Sequence, residues 1–284
     1  MEQLRRLCCG ATTTSGRLND VLTILGNVIT RYGDKALSIV KEGSNDDKSM
    51  YGSFVARKLL ESASCAILAR MDPSRFLILQ EYQQRAGANY KAHERHPASI
   101  QWCGDIIPEK AANALWNNES APDKFVRALL GGHLAEIAWP LAIDCFARDT
   151  LDKSKSQWIE ELSGVYEEKF QQANAKSSNE PDESKESENR AKSSNSQAGI
   201  LVLDIFRHRF QDTFSALSKG VHLEFVVDET VVLDPETVVV HMLTAVKLVS
   251  QLGFLSSYMD SVFTKIAPND AFELILNVEE SFTK

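Results

Sequence analysis

The stretch LDIFRHRFQDTFSAL, residues 203–217, decides the fold class. Leu203, Phe206, Phe210, Phe214 and Leu217 recur at steps of three and four, with Asp204, Arg207, Gln211 and Asp212 between them. That is the period of an α-helix with one apolar face, which has to be buried against other elements. Lys219-Gly220 follows, with glycine where a helix stops. Downstream, Asp234-Pro235 supplies a cap and a first-turn proline for a helix through Val239, Leu243, Val246, Val249 and Leu252. Between these helices, residues 222–233 are rich in Val and Phe and are expected to be extended. The tail segment AFELILNV, residues 271–278, is expected to form a strand.

Upstream the pattern is helical as well. YGSFVARKLLESASCAILARM, residues 51–71, predicts a helix that buries Tyr51, Phe54, Val55, Leu59, Ala63, Ala66 and Ile67 and wets Arg57, Lys58 and Glu61. Asp72-Pro73 opens another helix. Residues 17–40 read as a helix bent or broken at Gly26 or Gly33. Ala121-Pro122-Asp123 starts one through Phe125, Leu129, Ile137 and Leu141, interrupted at Gly131-Gly132 and Pro140, and residues 157–170 form the next. The expected class is mainly α, helical bundles with a minor β element in the C-terminal part.

Residues 171–198, QQANAKSSNEPDESKESENRAKSSNSQA, hold no aromatic residue and no aliphatic larger than alanine. Such a stretch buries too little apolar surface to offset its ordering entropy, which predicts a disordered linker or long loop. It divides the chain into a helical part, 1–170, and a smaller helical module with a short β segment, 199–284. Of the formal net charge of -8, residues 199–284 carry -6. That acidity disfavours a nucleic-acid backbone there. A DNA-binding role for Arg57, Lys58, Arg70, Arg75 and Arg85 is disfavoured too, because residues 1–170 show no basic excess.

Other classes are narrowed by composition. With 43% hydrophobic and 25% charged residues, the chain is neither wholly disordered nor an obvious membrane protein. No secretory signal is expected, and five cysteines without a CxxC pair point to reduced thiols in the cytoplasm. Arg5-Arg6 and Cys8-Cys9 are expected at a frayed terminus. Neither a phosphate-binding glycine loop nor a GxSxG elbow is present. His93, His96, Cys103 and Asp105 are residue types that bind zinc, but a single HxxH without a second pair leaves no metal or other cofactor expected.

Two motifs bear on chemistry. In RALLGGH, Arg127 and His133 pair a phosphate-binding guanidinium with an imidazole that moves a proton near neutral pH. About one spacing of this kind is expected by chance in such a chain, so a surface arginine and a helix-end histidine are the simpler account of it. In LSKGVH, His222 follows a helix end, where it either steadies the carbonyls or serves as an acid/base.

The helical plan, the R-x5-H of Arg127–His133 and the helix–LSKGVH–extended–helix unit around His222 resemble HEPN-type helical domains of bacterial toxin and defence systems. The resemblance implies a metal-independent ribonuclease in which Arg127 holds phosphate, His133 moves the proton and His222 is accessory. The residues themselves favour a non-catalytic interaction or regulatory subunit of a multi-protein system. That subunit would have a protein partner or self-associate, RNA being a possible ligand, with no membrane role.

Overall fold

The computed structural model of the chain describes residues 1–11, 16–74, 76–77, 80–81, 129–132, 134–177, 187–219 and 234–283, with the backbone alone over 176–177 and 187–196. Eight α-helices lie among them: α1 (Glu2–Cys9), α2 (Arg17–Glu42), α3 (Asn45–Met71), α4 (Trp139–Arg148), α5 (Gln157–Ser177), α6 (Ser187–Lys219), α7 (Pro235–Leu255) and α8 (Pro268–Thr283). A π-turn, Leu134–Ala138, leads into α4, and short 3₁₀ turns precede α5 and follow α7.

The long α3 packs between α2 and α7, while α6 lies against α4 and α5. The first helix closes the bundle by touching α2, α3, α7 and α8 together. One hydrophobic core runs through all of these, from Leu4 and Leu7 in α1 to Val278 and Phe282 in α8. Residues from both sides of the expected 171–198 division therefore bury surface together. Within that segment, 171–177 and 187–198 are helical, the ends of α5 and α6, whereas 178–186 lies outside the described residues. The absence of large apolar side chains did not prevent helix here. Both helices are anchored beyond the segment, at Trp158, Ile159 and Leu162 in one and at Val202 and Phe206 in the other, and propagation from an anchored turn is far easier than nucleation.

The one-sided pattern of residues 203–217 holds: all five apolar residues of the series are buried. Asp234 caps α7 by accepting from the Thr237 amide at 2.8 Å. Ser44 caps α3 through a reciprocal box, accepting from the Asp47 amide at 3.1 Å while its own amide donates to Asp47 Oδ2 at 3.2 Å. A carboxylate remote in sequence caps α5. Glu279 of α8 accepts from the Ser156 hydroxyl at 2.5 Å and the Trp158 amide at 3.3 Å, which ties the last helix to the start of α5.

Three expectations are corrected. Residues 271–278 are helical, not a strand, and no strand occurs among the described residues. Ala271, Phe272, Leu274, Ile275, Val278 and Phe282 form a buried helical stripe, with Glu273 and Asn277 outside it. The extended piece expected at 222–233 lies outside the described residues. The terminus is not frayed. Leu4, Leu7 and Cys8 are fully buried, and the Met1 ammonium pairs with Asp34 at 2.6 Å. Lastly, α2 runs unbroken through Gly26 and Gly33. These glycines serve close approach instead: a Cβ on them would stand 2.7 Å from Arg5 Nε and 2.9 Å from the Met1 side chain.

Helix α7 with its 3₁₀ turn, Pro235–Tyr258, is long and apolar enough to cross a membrane, but about two thirds of its most apolar window is buried inside this fold. Its hydrophobicity is used by the core.

Candidate functional site

Arg127, His133 and His222 lie outside the described residues, as do His93, His96, Cys103 and Asp105. Residues 129–132, between the first pair, and the chain from 134 to 177 are described. Leu129 and Leu130 are buried, and their carbonyls accept from Trp139 Nε1 at 2.8 Å and Arg207 Nε at 2.7 Å. Gly132 has a φ of 54°, which only glycine adopts readily, so the expected interruption of the helix occurs there. The π-turn Leu134–Ala138 follows at once.

The buried polar groups that are described hold helices together. Arg70, one of the basic residues weighed for DNA binding, is fully buried at the end of α3. Its guanidinium donates to the carbonyls of Leu7, Cys8, Phe263 and Thr264 and to the Ser256 hydroxyl. Burial lowers its pKa to about 10. Beside it, burial raises the Cys8 thiol and holds Cys9 at about 12, so both are protonated thiols rather than nucleophiles. Gly10 passes so close that a Cβ would stand 2.2 Å from the Thr264 carbonyl.

Two further clusters fall between α4, α5, α6 and α7. Asp144 of α4 is buried and accepts from the Tyr166 hydroxyl of α5 at 3.1 Å. Burial raises its pKa to about 6, opposed by that hydrogen bond and by the charge of Arg148. Glu161 of α5 bridges Arg209 of α6, at 2.9 Å, and Lys247 of α7, and these cations keep its carboxyl below the ordinary range against the opposing effect of burial. Two crevices formed by described residues, one between α1 and α2 and one beside Arg209, are too small for more than a water or two. Among the described residues no three His, Cys, Asp or Glu side chains gather as a metal site.

No family model, curated protein or solved structure matches the chain. The candidate site therefore rests on surface chemistry.

That surface has one unexpected feature. Met50, Tyr51 and Phe54 of α3 are 60, 53 and 42% exposed. Two of them were expected in the core, and Glu61, expected in water, is buried beneath Arg57 and Lys58, which pair with it at 3.1 and 3.0 Å. The cause is the helix itself, which carries apolar residues on every side. Packing against α2 and α7 selects Val55, Leu59, Ala63 and Ala66, and leaves the Met50–Phe54 strip outward. A lesser group, Ile137, Leu141 and Ile200, is exposed where α4 crosses α6 at Pro140 and Gly199.

Proposed function

We infer that the chain is a non-catalytic helical interaction subunit, working in a reducing compartment such as the cytoplasm. The observation that carries this reading is the strip of Met50, Tyr51 and Phe54. Three large apolar side chains on one side of α3 stand largely exposed, with Phe54 alone meeting a neighbouring ring, that of Tyr32, among the described contacts, and such patches mark contact surfaces. The fate of the polar groups supports it. Arg70, Glu161 and Glu279 are engaged in helix-to-helix bonds instead of converging on a cleft. The thiols of Cys8, Cys9 and Cys145 suit a reducing environment.

The test immobilises the full chain beside a Tyr51→Ser/Phe54→Ser variant. Proteins of the source cell that bind the first and not the second support the reading. Equal recovery on both overturns it.

A second reading, a metal-independent ribonuclease using Arg127 and His133, draws on the π-turn that follows directly after residue 133, since such turns are enriched at functional sites. RNA cleavage in EDTA that is lost in Arg127→Ala/His133→Ala would install it in place of the first.

A further inference from the structure

We draw no further inference here: the strongest candidate, the exposed surface patch of Met50, Tyr51 and Phe54 on α3, already carries the interaction reading above, and nothing in the structure shows what covers it.

Discussion

Arg70 Nη1 donates to the carbonyl of Leu7 at 3.2 Å, joining the end of the third helix to the end of the first. The same guanidinium holds Cys8, Ser256, Phe263 and Thr264, so three segments distant in sequence meet on one side chain. Among the described residues none of these partners is a carboxylate. The carbonyls of Leu7 and Cys8 belong to the C-terminal turn of α1, the negative end of its dipole, and stand in for a counterion.

Replacing Arg70 by Met sets two effects against each other. It relieves the desolvation of a buried charge, and it takes the donor from the buried carbonyls of Leu7 and Cys8, whereas those of Phe263 and Thr264 still accept from Thr264 Oγ1 and the Ala11 amide. The second effect wins, since each unsatisfied group costs about 1–3 kcal/mol. The expected loss is about 3 kcal/mol or more, read as a thermal midpoint lower by roughly 5–10 °C. Arg70→Lys should recover only part of it, because three donors on one nitrogen cannot reach five acceptors. An unchanged midpoint in Arg70→Met would refute the assignment.

Two glycines in helices should respond oppositely to alanine. At Gly199 a Cβ would stand 2.8 Å from both the Cα and the carbonyl oxygen of Pro140, backbone atoms that cannot step aside. Gly199→Ala is expected to destabilise by about 1–3 kcal/mol. At Gly164 nothing lies within 4 Å, so Gly164→Ala collects the helix propensity of alanine and stabilises by up to about 1 kcal/mol. Urea unfolding of the two variants checks the crossing of α4 and α6 directly.

Cysteine accessibility supplies a third check. Cys8, Cys9 and Cys65 are buried, while Cys145 is partly exposed, with Arg148 Nη2 3.6 Å from its sulfur. In a Cys103→Ser background, Ellman's reagent should label Cys145 quickly in the native protein and the remaining three thiols only on unfolding. Rapid labelling of Cys8 or Cys9 would mean that α1 leaves the core readily.

Residues 203–217 were legible because their apolar face is one-sided, so periodicity alone identifies the side that must be buried. In α3 the same method placed the helix but not its orientation. Apolar residues surround it, and only α2 and α7 decide that Val55 turns inward and Tyr51 outward. Residues 271–278 misled for a related reason: a short apolar run has no clear period, and the flanking Phe282 that completes the helical stripe lies outside it. The burial of Arg70 was invisible, since its partners at 263 and 264 come from the far end of the chain.

Asp144 makes stability depend on pH in the direction opposite to a paired surface carboxylate. Its folded pKa, raised by burial to about 6, lies above the roughly 3.9 of an unfolded aspartate. The folded state therefore binds this proton more tightly than the unfolded state. The stabilisation from that proton is fully present below about pH 4 and is lost as pH rises through 6. Above that range a charged carboxylate sits between α4 and α5 with the Tyr166 hydroxyl and the nearby Arg148 to offset it, at a net cost on the order of 1–2 kcal/mol. Asp144→Asn keeps an acceptor for Tyr166 and removes the charge. Its thermal midpoint should match that of the natural chain near pH 4 and exceed it by several degrees at pH 8. If the two chains keep the same difference at both pH values, Asp144 does not titrate in this window and its burial is relieved in solution.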